Sequence, residues 1–306
     1  MFRLIVPTRD SEGWIGVLLN AYRREGIEPL FVFDMRSRDD TRKRLAEMNA
    51  QVVEMRPDKD FAEGGMIEFG SRAAGTRWVL RLDDDEFPSC ALLRWLREHG
   101  VRSVRTAWAL SRRELFLNGD EILYSRSPTR FWDERHPGFL NPQVRFYRAD
   151  LVRYEEKLHS CGFDAKDDVG MAPDGAFFLH MSCLMRSPQE RYEKLVRYEA
   201  ISANSAWKLA DEYLPELTEL TGCEADTDGL VEFSELLAAW PRSRDKDFEF
   251  LDGDELKRLL AIRQSYIDEL QNRQGKFAKG MAARPLAATL YRFDRWLRDS
   301  IRVPWR

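Results

Sequence analysis

The chain has 306 residues, 43% of them hydrophobic and 12% aromatic, with nine Trp. That is enough apolar material to pack a core and enough length for about two compact units, which excludes disorder as the dominant state. Charged residues make up 33%, and the net charge of −4 excludes a chain that binds nucleic acid along its whole length, which would carry a basic excess.

The charge is uneven. Residues 273–306 hold nine Lys/Arg and two Asp/Glu, a local charge of +7, so the remainder stands at −11. No apolar run approaches the roughly 20 residues that span a bilayer. Met1–Pro7 is too short and too soon polar for a signal peptide. Cys90, Cys161, Cys183 and Cys223 are scattered with no C-x-x-C pair, which fits reduced thiols and neither a disulfide frame nor a zinc cluster. A cytoplasmic protein is expected.

In chain order, the pattern predicts alternating strands and helices. Leu4–Val6 is a short apolar strand closed by Pro7, followed by a helix from Trp14 to Arg24 that Gly26 ends. Pro29–Asp34 is a second strand, Asp39–Met48 a polar helix, Gln51–Met55 a third strand and Phe61–Ala74 a helix. Arg77–Leu82 is a fourth strand running into Asp83-Asp84-Asp85-Glu86, and Pro88 opens a helix through His99. This rhythm predicts a mostly parallel sheet with helices on both faces. Val101–Leu110, Leu115–Asn118, Glu121–Tyr124 and Val144–Tyr147 then predict an antiparallel extension. From Ser187 the chain turns helical, and Ser187-Pro188-Gln189-Glu190 is a capping-box signature with Pro at the first helical position.

The acidic run Asp83–Glu86 falls at the carboxyl end of the fourth strand, where parallel α/β sheets bind ligands. Four adjacent carboxylates repel one another, and a divalent cation offsets that repulsion. Mg²⁺ or Mn²⁺ held jointly by carboxylates and a diphosphate suits such hard oxygen ligands; a solvated acidic loop is the plainer alternative. Two other strand ends are also polar, Pro7-Thr8-Arg9-Asp10 and Asp34-Met35-Arg36-Ser37-Arg38-Asp39-Asp40. Three polar strand ends on one edge point to a binding site.

The ordered set IVPTRD at 5–10, FVFDMRSRDDT at 31–41, WVLRLDDDEFPS at 78–89 and QVRFYR at 143–148 resembles the family 2-like glycosyltransferases of the GT-A fold. The resemblance covers roughly residues 4–200. Met35 and Arg36 depart from the small residues usual in the second element, and Ser160 stands after His159 where relatives often carry Glu. The fold implied is an α/β, GT-A-type nucleotide-sugar-binding sheet with an antiparallel extension. It comprises a catalytic domain over 1–186 and a helical C-terminal region over 187–306.

The resemblance further implies a hexosyltransferase-type enzyme that takes a nucleotide sugar as donor. Pro7, Thr8, Arg9, Asp10, Asp34, Arg36 and Asp39 would hold its base and ribose, Asp83 would lie on ribose or metal, and Asp85 would coordinate the ion. The leaving nucleoside diphosphate needs positive charge placed in advance. Arg9, Arg36 and Arg81 are candidates, although Arg81 also reads as a salt-bridge partner of the acidic run. His180, in FFLHMS, is a candidate third metal ligand or a hydrogen-bonded core residue. An inverting transfer needs a carboxylate base. Among Glu155, Glu156, Asp164, Asp167 and Asp168, the loop carrying Asp167 and Asp168 is favoured; without such a base a retaining mechanism is open.

Ser125–Pro142 is a long Pro-, Arg- and aromatic-rich insertion where Phe131 or Trp132 would stack on a sugar and Arg130 or Arg135 meet a phosphate, or else a surface loop. Leu286, Leu290, Phe293, Leu297 and Ile301 form one helical stripe, with Arg292, Arg295, Arg298 and Arg302 opposite. Such a basic amphipathic tail suits an anionic membrane surface, consistent with a glycan or glycolipid acceptor and a peripheral location, or it packs on the body. A nucleotidyltransferase would show a Gly-rich N-terminal phosphate loop, yet 5–13 holds one Gly, and no G-x-G-x-x-G marks a dinucleotide oxidoreductase. A non-catalytic carbohydrate- or membrane-binding relative is the remaining alternative.

Overall fold

The computed structural model describes residues 1–58, 63–118, 121–125, 143–151, 169–173, 175–201, 214, 223–224, 228–242, 261 and 265. Strands β1 (Phe2–Thr8), β2 (Leu30–Asp34), β3 (Gln51–Met55) and β4 (Trp78–Arg81) are parallel, in the order β3-β2-β1-β4. Helices α1 (Ile15–Arg24), α2 (Thr41–Glu47) and α3 (Glu63–Ala73) connect them. Strand β1 is buried on both faces, as a central parallel strand must be. Leu4 and Val6 join the core cluster containing Ile15, Leu18, Leu19 and Tyr22 of α1, whereas Ile5 joins Val32, Met66 and Ile67 on the opposite side. Helix α3 lies close on the sheet because Gly70 has no side chain: a Cβ there would sit 2.4 Å from Val32 Cγ2.

Pro7 does not close β1; the strand runs on to Thr8. Its last β4 partner is Ile5, opposite Arg81, and beyond it only β2 pairs with β1. A residue with no N–H is tolerated there because one side of the strand is already unpaired.

Past β5 (Glu86–Pro88) and α4 (Cys90–Glu98) the sheet continues antiparallel. Ser89 caps α4 by accepting from the Leu92 N–H at 3.1 Å. Two separate strands were expected from 101 to 118. Residues 100–102 are instead a 3-10 turn, and Ala107–Asn118 is one twelve-residue strand, β6. The polar run 111–114 misleads because its charges are buried against partners: Arg112 pairs with Glu114, and the Arg113 guanidinium lies over the Phe177 ring at 4.7 Å.

The extension adds β7 (Glu121–Ser125), β8 (Gln143–Arg148), β9 (Val169–Met171) and β10 (Phe177–His180). Strand β8 joins β4 to β6 antiparallel, and β9 and β10 both pair parallel with β6. Phe146 of β8 stacks on Trp78 of β4 with ring centroids 4.7 Å apart, which ties the two halves of the sheet together. The expected α/β fold with an antiparallel extension is therefore present.

The helical region begins with α5 (Ser182–Met185) and α6 (Pro188–Ile201). The capping box forms at α6: Glu190 N–H donates to Ser187 Oγ at 3.2 Å, and Ser187 N–H donates to Glu190 Oε2 at 2.7 Å. Strand β11 (Cys223–Glu224) pairs with β7, and α7 (Ser234–Ala239) follows a 3-10 turn. Leu230, Phe233, Leu236, Leu237 and Trp240 share the core of the sheet, with Phe233 edge-on to Phe87 at 6.3 Å. The tail 273–306 and the insertion 126–142 lie outside the described residues. No helix among the described residues is long and apolar enough to cross a membrane.

Candidate active site

The carboxyl ends of β1, β2 and β4 meet, and polar side chains stitch them into one wall. Asp10, held at a positive φ of 51°, accepts from Ser37 Oγ at 3.1 Å and from Arg38 N–H at 2.7 Å. Asp39 accepts from Glu12 N–H at 2.8 Å and from Thr41 Oγ at 2.6 Å. Burial raises the Asp39 carboxyl, but donors from Thr41, Glu12 and Ser37 outweigh it and hold the group below its ordinary range. Ser11 N–H donates to Thr41 Oγ at 2.7 Å, completing the seam between the first and second loops.

Asp34 ends β2 almost wholly buried. Its oxygens accept from Arg36 N–H at 2.9 Å, Arg36 Nε at 2.9 Å and Arg36 Nη2 at 2.6 Å, with Arg9 Nη1 at 3.9 Å. Burial works against the ion here too, yet the Arg36 contacts keep it below the usual carboxylate range. Arg9 and Arg36 thus reach the site already paired with acids.

The four acids of the β4 loop have four different surroundings. Asp83 accepts from Arg81 Nη2 at 2.6 Å and from Arg145 Nη2 at 3.0 Å. Arg81 is buried and acts here as the salt-bridge partner that the sequence allowed. Asp84 turns the other way, accepting from Thr8 Oγ at 2.9 Å, from Arg9 N–H at 3.3 Å and from Ser11 Oγ, while Trp14 Nε1 donates to its carbonyl at 2.8 Å. Burial and the neighbouring Asp85 charge push the Asp84 carboxyl up to about 6, against the pull of Ser11, Arg186 and Thr8. Thr8 therefore spends its hydroxyl inside the fold. Glu86 is fully buried and accepts from Arg145 Nη2 at 2.6 Å.

Asp85 is the remaining acid. Its Oδ1 lies 3.5 Å from His180 Nε2, and its Oδ2 lies 3.7 Å from Arg186 Nη1. The pairing is fixed by backbone: β10 lies between β5 and β6, and Met181 N–H donates to the Asp85 carbonyl at 2.9 Å. Burial raises the Asp85 carboxyl, but His180, Arg186 and Lys194 overcome it and drive it well below its ordinary range. Burial likewise lowers His180, yet Glu114 and Asp85 outweigh it and lift the imidazole to about 10.

Asp85 and His180 fit a divalent ion as a partial ligand set. Donor atoms each about 2.1 Å from a common ion can stand 3–4 Å apart, and the observed 3.5 Å falls in that range. A carboxylate with an imidazole suits Mn²⁺ better than Mg²⁺, which prefers oxygen. Among the described residues no group of three His, Cys, Asp or Glu is arranged to hold an ion, so further ligands would come from substrate oxygens and water.

Sequence reasoning missed Glu114, Arg145 and Arg186. Arg145 lies within the quoted QVRFYR segment, but nothing in it announces a partner 62 residues upstream. Asp167 and Asp168, with His159, Asp164 and the aromatic insertion, lie outside the described residues; β9 begins immediately after Asp168.

No family model matches the chain, and no curated protein matches it. Among solved structures the chain is similar to TarS 1-349 of S. aureus, at 17% identity over 91% of each chain with a TM-score of 0.41. It is similar to the same protein in complex with UDP-GlcNAc, at 16% identity over 91% of this chain and 92% of that one, also at 0.41. A third likeness is to a CMP:2-keto-3-deoxy-manno-octonic acid synthetase complexed with CTP, at 12% identity over 49% of this chain and 75% of that one, at 0.33. Likenesses this distant assign no role to any residue of the site.

Proposed function

We propose that the chain is a GT-A-type glycosyltransferase that moves a sugar from a nucleoside-diphosphate donor to an acceptor hydroxyl, with Mn²⁺ or Mg²⁺ held by Asp85 and His180. One observation carries this reading: Asp85, His180 and Arg186 gather at the edge where three polar strand ends already meet. A bound divalent ion would supply Lewis-acid stabilisation of the departing diphosphate.

The chain's own residues do the rest. The loops after β1 and β2, through Arg9, Asp10, Asp34, Arg36 and Asp39, form the wall that receives the nucleoside. Arg186, partly exposed and beside Asp85, brings fixed positive charge toward the leaving group. Pro7, Thr8, Arg81 and Asp83 shape this wall from behind, Asp83 between two arginines. Asp167 or Asp168 removes the proton of the acceptor hydroxyl as it attacks the anomeric carbon. The acceptor is a glycan or glycolipid, and the basic tail 273–306 holds the enzyme at an anionic membrane surface.

The test is a thermal-shift panel of UDP, GDP, CDP and dTDP, each with Mn²⁺ and with EDTA, on the wild type and Asp85→Ala. Ligand at a hundredfold over its dissociation constant adds about 2.7 kcal/mol. A metal-dependent rise with one nucleotide, lost in Asp85→Ala, is the expected result. No shift with any nucleotide in a folded sample overturns the sugar-nucleotide reading.

A further inference from the structure

His180 is held from both ends. Its Nδ1 lies 2.5 Å from Glu114 Oε2, and its Nε2 faces Asp85 Oδ1 at 3.5 Å. Glu114 and His180 are direct partners in the β6–β10 pairing, so the backbone itself brings this carboxylate to this ring. Glu114 is in turn buried and fixed, with Oε1 2.5 Å from Arg112 Nε on the same strand. Desolvation alone would make a buried carboxylate costly; Arg112 on one side and the imidazole on the other offset that cost.

A neutral imidazole has one N–H and one lone pair, and whichever nitrogen donates leaves the other as the ligand. A carboxylate only accepts. Glu114 therefore keeps the proton on Nδ1, so that Nε2, the nitrogen facing Asp85, is the one that gives up its proton and offers its lone pair when the ring ligates. A carboxylate behind a ligating His in this way fixes the ring's tautomer and raises its basicity. We propose that Glu114, braced by Arg112, is the positioning residue that makes His180 a ligand through Nε2. Asp85 and His180 then act as one pair already placed for a divalent cation, which takes the position of the Nε2 proton between them. The inference rests on the metal reading above and extends it to a residue 66 positions away in the chain.

Free Mn²⁺ is counted by electron paramagnetic resonance during titration of the full-length protein, first without nucleotide and then with UDP, GDP, CDP or dTDP. Five proteins are compared: wild type, Glu114→Gln, Glu114→Asp, His180→Ala and the double variant Glu114→Gln/His180→Ala, each with its melting temperature. Glutamine keeps the shape but offers both a donor and an acceptor, so it no longer dictates the tautomer. Glu114→Gln is expected to weaken Mn²⁺ binding by about 10- to 100-fold, the range for loss of such a partner. In the His180→Ala background the same change is expected to do nothing further, because Glu114 acts only through the ring.

Glu114→Asp, which keeps the acceptor-only character, is expected to retain more affinity than Glu114→Gln. It also guards against a reading in which any change at this buried position merely loosens the fold. If wild type binds Mn²⁺ and Glu114→Gln binds it equally well, the positioning role is wrong while the metal reading stands. Equal losses from Glu114→Gln with and without His180 would likewise overturn it. Should wild type itself bind no Mn²⁺, either alone or with any of the four nucleoside diphosphates, the metal reading falls and this inference falls with it.

Discussion

Replacing Asp34 by Asn separates the electrostatic work of this residue from its shape. Asp34 is 1% exposed and receives the backbone N–H, Nε and Nη2 of Arg36. Asparagine keeps one acceptor oxygen but removes the charge and half the fork. Hydrogen bonds to a charged group contribute about 1.5–3 kcal/mol net. Arg36, at 22% side-chain exposure, recovers part of its hydration when released. The expected cost is about 2 kcal/mol at pH 7.5.

The pH dependence follows from the sign of the shift. The folded carboxyl titrates below its ordinary value, so between the unfolded value near 3.9 and the folded one the unfolded state binds more protons. The Asp34 contribution is then fully present above about pH 5 and is lost as the pH falls through the folded value. Urea unfolding at pH 7.5, 5 and 3.5 measures it, with equal m-values showing that the same surface unfolds. The Asp34→Asn deficit should be the same at the two higher values and smaller at pH 3.5. A deficit under about 0.5 kcal/mol at pH 7.5, or one that grows on acidification, would refute the reasoning, because surface pairs behave in the first way.

Substitutions at three further sites test separate parts of the structure. Ser187→Ala removes the acceptor for Glu190 N–H and should cost about 1 kcal/mol in unfolding free energy, while Ser187→Gly should cost only a few tenths. Gly70→Ala forces a methyl to 2.4 Å from Val32 Cγ2; an overpacking loss of about 1–3 kcal/mol is expected by urea unfolding, and Val32→Ala in the same chain should recover some of it. Arg186→Ala should weaken calorimetric binding of a nucleoside diphosphate at least tenfold and leave the nucleoside unchanged, with Arg186→Lys between the two; equal weakening of both ligands would mean that Arg186 supports the loop and does not meet phosphate.

The central parallel strands β1, β2 and β4 were legible because each carries an apolar, buried run that ends in polar residues, the pattern a doubly covered strand imposes. Gln51–Met55, a half-exposed strand at the sheet edge, and the Ser187–Glu190 capping box also stand as expected, each from its own local residues. Strand β6 was not legible, since Ser111-Arg112-Arg113-Glu114 reads as a turn until Phe177 and His180 cover it from β10. Burial of those charges is a long-range property, and composition over a few residues carries no trace of it. The same limit hides Arg145: its guanidinium meets Asp83 and Glu86 across the sheet at 3.0 and 2.6 Å. It also hides Asp84, whose carboxylate faces Thr8 and Ser11 because the β4 loop turns back toward β1.

Those same partners change what the acidic run asks of an ion. Four adjacent carboxylates with no counter-charge would call for a divalent cation on repulsion alone. Here Arg81 and Arg145 take Asp83, Arg145 also takes Glu86, and hydroxyls with a backbone N–H take Asp84. Asp85 alone of the four faces an imidazole, with Arg186 3.7 Å from its other oxygen. On the proposed reading the ion would be held by Asp85 and His180 together, and an imidazole lifted to about 10 must release its proton before its nitrogen can ligate. Mn²⁺ uptake should accordingly release close to one proton per ion in unbuffered titration at pH 7.5. Uptake with no proton release would mean that the ion sits on oxygens alone and that His180 stays an ion-paired core residue.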